Sequence, residues 1–473
     1  MAIKLYNFLP KKVEEFNPIN AKSVGMYTCG PTVYDYVHIG NWRTFVFEDV
    51  LKRVLRFNDF DVTHVMNITD IDDKIIKKAA DEGVDYKKIT EKFEEAFFDD
   101  FEKLNIESEE DAPREVRRET NMFEQYPRAT ESIDAMIVLI QKLLEKGVAY
   151  KGDDGIYFSV EKFPNYGKLS GLSKGNLKKG ARVNADLYDK ESWADFALWK
   201  FPSSPKASGG QVKKEPSWPA PFGEGRPGWH IECSAMSMKA LGETFDIHAG
   251  GVDLLFPHHE NEIAQSEAAT GKKFVNYWME GEHLLVEGEK MSKSLNNIYT
   301  LADISEKGFD TLALRYLFLT AHYRSKLNFT WESLQGAGNA LNNLREEVAS
   351  WNEVEKEAWE GLPDFEKDFK NAINNDLDMP RAVAVMWDMV KSDNPTVRKH
   401  ESILVMDKVL GLGLERIKKA ELPEGAKELI EKREAVRKTG DFEESDNMRG
   451  ELAKMGVEVE DTPQGPKWKV KQR

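Results

Sequence analysis

Cysteine is nearly absent from this chain: 473 residues hold two, Cys29 and Cys233. Two cysteines make no disulfide framework, which fits a reducing cytoplasm. Long apolar runs are also missing. No stretch approaches the ~18 consecutive apolar residues of a membrane helix. No apolar segment follows Met1-Ala2-Ile3-Lys4-Leu5, so no signal peptide is expected. Basic charge is in short supply as well. With 66 Lys and Arg against 82 Asp and Glu, the net charge is −16, which excludes bulk attraction to nucleic acid. An RNA partner would need local basic surface. Lys162 to Ala185 holds six basic residues and no acid, and Gln464 to Arg473 holds four and no acid. Taken singly, either stretch reads as a solvated loop or tail. Internal repeats and long low-complexity tracts are absent too.

What is present is enough apolar material, 41%, to bury real cores, and enough length for three domains. Residues 24–30 read as a short buried strand ending in a turn. The run Arg43 to Leu55 has helical spacing, and Val62 to Met66 reads as the next strand. Strand, helix, strand opens an α/β fold with a doubly wound, Rossmann-like parallel sheet, whose ligands sit at the carboxyl ends of strands. Cys29, His38 and Thr69 fall at such ends. Residues 71–150 read as mostly helical and are strongly acidic between Glu91 and Glu119. Residues 150–228, rich in Gly, Lys and Pro with short strands such as 155–160, read as an insertion; 203–210 is turn-rich. Sheet patterns return near 244–248 and 283–286. From Leu301 almost to 415 the spacing is helical, as in Leu312, Tyr316 and Leu319, or Leu334, Leu341 and Leu344, and predicts a bundle. Leu422-Pro423-Glu424-Gly425 breaks it. The expected domains are a catalytic part, 1–300, split by an insertion at about 115–225, then a helical bundle, 301–420, and a small C-terminal domain, 426–473.

The two cysteines lie in dense local patterns, Tyr27-Thr28-Cys29-Gly30-Pro31 and Gly228-Trp229-His230-Ile231-Glu232-Cys233. Beyond the second comes Pro257-His258-His259-Glu260-Asn261-Glu262. Thiolate, imidazole and carboxylate are zinc ligand types. His258 and Glu262 are four apart and share a helix face, yet His259 competes and spacing alone does not choose. The bland alternative is two buried, inert thiols. His38-Ile39-Gly40-Asn41 precedes a helix, whose N-terminus suits phosphate, and Gly40 permits close backbone approach. Lys290-Met291-Ser292-Lys293-Ser294 places two ammonium groups and two hydroxyls on a loop able to close on a triphosphate. By itself the first is an ordinary strand-to-helix turn and the second an exposed polar loop.

Together the two signatures resemble the HIGH and KMSKS motifs of class I aminoacyl-tRNA synthetases. The second matches letter for letter; the first has Asn41 where that class has histidine. Asparagine still donates a hydrogen bond but carries no charge. Within the class, nearly the whole chain resembles the cysteinyl members. The matching segments are Cys29 to Asn41, Asn67 to Lys74, Glu215 to Trp218, Gly225 to Met236, Phe256 to Ser266 and Asp461 to Gly465. Ala249 interrupts a stretch usually rich in glycine, and the segment Arg117 to Tyr126 is longer than the usual bacterial form.

The resemblance implies roles residue by residue. Cys29, Cys233, His258 and Glu262 would hold one Zn2+, the family pattern favouring His258 over His259. Gly30, Thr69, Trp229 and Asp253 would line the amino-acid pocket. His38, Asn41, Lys290 and Lys293 would act on the phosphates, with Gly40, Met291, Ser292 and Ser294 completing the ATP site and Mg2+ accompanying ATP. Arg437, Trp468 and Lys469 would meet tRNA(Cys) at the anticodon. The implied protein is a cytoplasmic monomer that joins L-cysteine to tRNA through an adenylate. Zinc makes chemical sense here, since packing alone separates such small side chains by only ~1–3 kcal/mol. A substrate thiol ionises readily on a metal, whereas serine's hydroxyl resists and alanine and valine have no ligand. Two alternatives remain. A cysteine ligase of the mycothiol-synthesis type would pass the same adenylate to an amino sugar, but it generally lacks a part like 426–473, here with Arg433, Arg437, Phe442, Asp446 and Trp468. A non-catalytic zinc-containing RNA-binding protein would have little reason to keep His38 and Lys290 to Ser294.

Overall fold

The computed structural model describes residues 2–106, 125–171, 177–183, 193–202, 215–351, 360–417, 422–462 and 465–470. Most of Arg117–Tyr126, the turn-rich 203–210 and parts of both basic stretches lie outside the described residues.

A four-stranded, all-parallel sheet carries the site. Its strands are β1 (Ser23–Thr28), β2 (Asp61–Met66), β3 (Phe245–Gly251) and β4 (Val275–Gly281), in the order β4-β3-β1-β2. Helix α1 (Ile39–Phe57) connects β1 to β2. Helix α2 (Trp229–Leu241) precedes β3, and α3 (Glu260–Thr270) connects β3 to β4. From the β1/β3 pair the chain winds outward in both directions, so the crevice at their carboxyl ends is the switch point where such sheets bind ligands. Every residue of β3 is buried, as expected for an interior parallel strand covered on both faces.

The sheet reading needs two corrections. Leu284–Val286 is a strand, but it pairs with Glu289–Lys290 and Leu327–Phe329 in a separate small sheet. The fourth parallel strand is Val275–Gly281, which sequence reading passed over. Its run Phe274, Val275, Tyr277, Trp278, Met279 is nearly continuous apolar sequence, and such a run does not distinguish a strand from the tail of the helix before it. Helix α1 also starts earlier than the expected Arg43. His38 is its N-cap, its side chain accepting from the Asn41 N–H. Leu327–Phe329 likewise interrupts the region read as helical throughout.

Inside the insertion, Ala149–Lys151, Gly155–Phe158, Trp193–Lys200 and Leu177–Val183 form a second sheet, with Arg226–Pro227 paired to Trp193–Lys200. Phe158, Phe196, Leu198 and Trp199 share one core with Tyr27, Cys29, Cys233 and Trp278. The insertion thus shares its core with the two cysteines.

The chain divides into two compact units. The first, Met1–Asn342 with Trp359–Gly413, holds the sheet, the insertion and most later helices. Within it α1 is the central post. Asp49 accepts from Arg53 Nε at 2.8 Å and Arg315 NH2 at 2.5 Å, all three buried. The second unit, Asn343–Ala358 with Leu414–Arg473, includes helices Ala426–Lys438 and Phe442–Lys454 and a hairpin, Val457–Thr462 with Gly465–Val470. Its core is Ala426, Ile430, Leu452, Val457 and Val459.

Candidate functional site

Five donors from five backbone positions converge at the switch point. Cys29 follows β1, Cys233 lies on α2, His258 and His259 form the turn into α3, and Glu262 sits in the first turn of α3. Cys29 Sγ is 3.8 Å from Cys233 Sγ, 3.8 Å from Glu262 Oε1 and 3.6 Å from His259 Nε2. His258 Nε2 is 3.2 Å from Glu262 Oε1 but is not aligned as a hydrogen bond, and it has no hydrogen-bond partner. All of these side chains are buried.

Two overlapping groups can therefore gather a metal ion: Cys29, Cys233, His258 and Glu262, or Cys29, His248, His259 and Glu262. Hydrogen bonds engage one ring nitrogen of each histidine. His259 gives Nδ1 to Glu280 Oε1 at 2.7 Å, and His248 gives Nε2 to Glu262 Oε2 at 3.0 Å. His258 has Nδ1 against His230 Nδ1 at 2.8 Å and leaves Nε2, the atom facing Glu262, free. A ligating imidazole typically has its other nitrogen hydrogen-bonded in this way. The first group, with two sulfurs, one nitrogen and one oxygen, has the donor chemistry of a zinc site.

Electrostatics say the same. Burial pushes the Cys29 thiol well above its ordinary pKa, with Cys233 and Glu262 adding to the rise, and burial raises Cys233 too. Burial holds His258 well below the ordinary imidazole value, and so neutral. Burial opposes the Glu262 carboxylate, but His248 and His258 outweigh it and hold its pKa below the usual value. Anionic ligand types and neutral imidazoles buried together suit a divalent cation.

Three of the four residues expected to line the amino-acid pocket lie beside this cluster. Gly30 donates its N–H to Asn67 Oδ1 at 3.0 Å; a Cβ there would lie 1.8 Å from the Asn67 carbonyl oxygen, so only glycine fits. Thr69 Oγ1 donates to Glu232 Oε2 at 2.8 Å and accepts from Asn67 Nδ2 at 3.1 Å. Half-buried Trp229 has its ring 4.3 Å from that of His258. The fourth, Asp253, is exposed just beyond β3, where its charge works to raise His38 against a larger lowering by burial.

The two phosphate motifs meet. A Cβ on Gly40 would lie 2.1 Å from Met291 Cε, so the methionine packs into the space that glycine leaves. Ile39 N–H donates to Tyr299 O at 2.8 Å, and His38 and Thr300 form a β-bridge. Asn41 and Lys290 are exposed, as is Ser294, whose Oγ lies 3.1 Å from that of half-buried Ser292. The Lys293 side chain lies outside the described residues. In the second unit, Arg437 NH1 is 3.2 Å from Asp461 Oδ1, beside the paired Arg433–Asp461 bonds at 2.7 and 2.9 Å. Trp468 and Lys469 are in the hairpin opposite Val459 and Glu458, with side chains outside the described residues.

Comparison with known proteins agrees with this layout. Residues 15–339 match the family model of the tRNA synthetases class I (C) catalytic domain, and residues 419–468 that of the cysteinyl-tRNA ligase anticodon binding domain. The chain belongs to the class I cysteinyl-tRNA synthetase family. Relatives described as cysteine–tRNA ligases include one from Chlamydia muridarum, 43% identical over 99% of this chain and 100% of its own length. Another, from Protochlamydia amoebophila, is 42% identical over 99% of this chain and 98% of its own. Among solved structures, a Mycobacterium tuberculosis methionyl-tRNA synthetase with methionyl-adenylate superposes with TM-score 0.57. It is 14% identical and covers 84% of this chain and 93% of its own, a likeness of fold alone. The aminoacyl-tRNA synthetase and ligase readings stand. The amino-sugar ligase is not favoured, since residues 419–468 match an anticodon-binding part. Among the described residues no helix is long and apolar enough to cross a membrane.

Sequence reading missed several polar residues around the ligand cluster: His248, Glu232, Glu280 and Glu48, all fully or nearly fully buried. Burial pushes both Glu48 and Glu280 well above the ordinary carboxylate value. A usable signal existed for two of them: His248 and Glu280 lie in largely apolar strands, and a polar residue in a buried strand is the informative kind.

Proposed function

We propose that the chain activates L-cysteine with ATP and passes it to the 3′-terminal adenosine of tRNA(Cys), with Zn2+ held by Cys29, Cys233, His258 and Glu262. The observation that carries this reading is the free His258 Nε2 inside a buried cluster of two sulfurs and a carboxylate. Bound zinc would supply a position that prefers a thiolate over a hydroxyl or a methyl group.

This chain's residues do the rest. Thr69, Trp229 and Asp253, beside Gly30, line the amino-acid pocket, where the Asp253 carboxylate suits the substrate ammonium. Attack of the substrate carboxylate on the α-phosphorus of ATP gives the adenylate and pyrophosphate. His38 accepts from the Asn41 N–H through Nδ1, at 3.2 Å, and so carries its proton on Nε2. Burial lowers its pKa, which keeps it neutral and a donor to a phosphate oxygen. Asn41, Lys290 and Lys293 add donors around a phosphate bound with Mg2+ at the N-terminus of α1. The second half-reaction uses a ribose hydroxyl of tRNA as nucleophile and releases AMP. Arg437, Trp468 and Lys469 are proposed anticodon contacts.

Pyrophosphate exchange with each amino acid in turn tests the reading. Exchange should depend on cysteine and be negligible with serine, alanine and valine. Purified protein should hold one zinc per chain, and Cys233→Ser should lose both the zinc and the preference for cysteine. Exchange with another amino acid, or normal zinc and cysteine selectivity in Cys233→Ser, would overturn the assignment.

A further inference from the structure

Lys290 to Ser294 lies on an exposed loop, and an exposed loop must be held if its ammonium groups are to meet a triphosphate at a fixed place. Its first end is fixed. Glu287 and Gly288 take positive φ, 51° and 82°, and turn the chain so that Glu289–Lys290 pairs with Leu284–Val286. The Gly288 N–H donates to Asn328 Oδ1 at 2.7 Å. After Ser294 the chain doubles back through Asn296, again at positive φ, 49°, a conformation asparagine tolerates better than most residues.

That reversal brings the Asn297 side chain under the loop. Its Oδ1 accepts from the Ser292 N–H at 2.8 Å, and its Nδ2 donates to the Lys290 carbonyl at 3.2 Å. The two partners fix the orientation of the amide, because a flipped amide would set donor against donor and acceptor against acceptor. Just beyond Asn297, Tyr299 O accepts from the Ile39 N–H, and Thr300 bridges His38. Asn297 therefore stands between the backbone of the lysine loop and a segment bonded to the N-terminus of α1.

We propose that Asn297 is a positioning residue for adenylate formation: it sets the placement of Lys290 and Ser292 relative to His38 without touching substrate. The proposal rests on the adenylation reading above. Its bond from the Ser292 N–H is partly buried and its bond to the Lys290 carbonyl is exposed, and each is modest by itself. They set the geometry of a loop, where small misplacement costs rate, and leave the fold unaffected.

Asn297→Ala should slow cysteine-dependent pyrophosphate exchange by about 10- to 100-fold, mainly in kcat. Cysteine KM, zinc content and melting temperature should stay at parent values. Transfer of preformed cysteinyl-adenylate to tRNA should be unchanged, since the triphosphate has already gone. Asn297→Asp keeps the acceptor for Ser292 but loses the donor to Lys290, and should fall between parent and Ala. An Ala variant that exchanges at the parent rate would overturn the proposal, as would a loss that tracks lowered melting temperature or missing zinc. Limited tryptic cleavage after Lys290, mapped by mass spectrometry, gives a readout independent of activity. Cleavage should quicken severalfold in Asn297→Ala, and unchanged cleavage sinks the proposal even if the parent chain shows no exchange.

Discussion

His64 lies buried in the carboxyl half of β2, with Nε2 2.9 Å from Thr28 Oγ1. Burial holds its pKa well below the ordinary imidazole value, and Lys52 pushes it further down. The consequence for stability has a definite sign. Above about pH 6.5 the imidazole is neutral in both folded and unfolded chains and contributes no slope. As pH falls below that, the unfolded chain binds a proton that the folded chain refuses, and stability declines. One such group contributes at most ~1.4 kcal/mol per pH unit. Denaturant unfolding of His64→Gln between pH 7 and pH 5 should show a shallower decline than the parent. Equal slopes would mean that His64 takes up its proton in the folded state. At the same scale, spacing to Glu262 leaves both His258 and His259 open as ligands, and each has its Nδ1 engaged, by His230 and Glu280 respectively.

Helix α1 is the element on which both halves of the reaction site depend. Its N-cap is His38, and its flank holds Arg43, buried, donating to the carbonyls of Glu282 and His283 at 2.9 and 2.6 Å and to that of Ser325. One turn and a half further on, Asp49 takes Arg315 from the helix Thr311–Leu319. Removing one partner of a buried pair leaves an uncompensated charge, at a cost of ~3–5 kcal/mol. Arg315→Met should fall at the low end of that range, because Arg53 still neutralises Asp49. Its loss also frees the Leu410 carbonyl that Arg315 Nε serves at 2.8 Å. Chemical denaturation checks the magnitude. A change under ~1 kcal/mol would show that the pair's desolvation cancels its attraction.

The molecule as a whole carries −16 charges, so general attraction to RNA cannot supply affinity, and specific contacts must. If residues 426–473 provide those contacts, deleting them should leave cysteine-dependent pyrophosphate exchange largely intact while tRNA aminoacylation falls sharply. The loss should appear as weaker tRNA binding that worsens with added salt. Equal damage to both steps, together with a lower melting temperature, would mean that this part only stabilises the rest. The Arg433–Asp461 pair already gives the unit a scaffold of its own, so the side chains that face RNA should be separable from it. Arg437 shares Asp461 with Arg433 and is the one of the three proposed contacts whose ion pair is described.

The sequence by itself determined the metal-ligand types, the two phosphate motifs and the strand–helix–strand opening, because these depend on residue identity and local periodicity. Cys29, Cys233, His258 and Glu262 were legible as ligand types, whereas the second unit begins at Leu414, ahead of the Pro and Gly near Leu422, and takes in Asn343–Ala358. Only tertiary structure showed which ring nitrogens are engaged by other side chains, since that depends on Glu280 and His230 arriving from other elements. It alone placed Val275–Gly281 in the sheet and moved Leu284–Val286 out of it, because strand partners are long-range pairings that an apolar run does not specify. It also brought Met291 onto Gly40 and Asn297 under Lys290, for a loop takes its shape from the hydrogen bonds and packing available to it once the chain has folded.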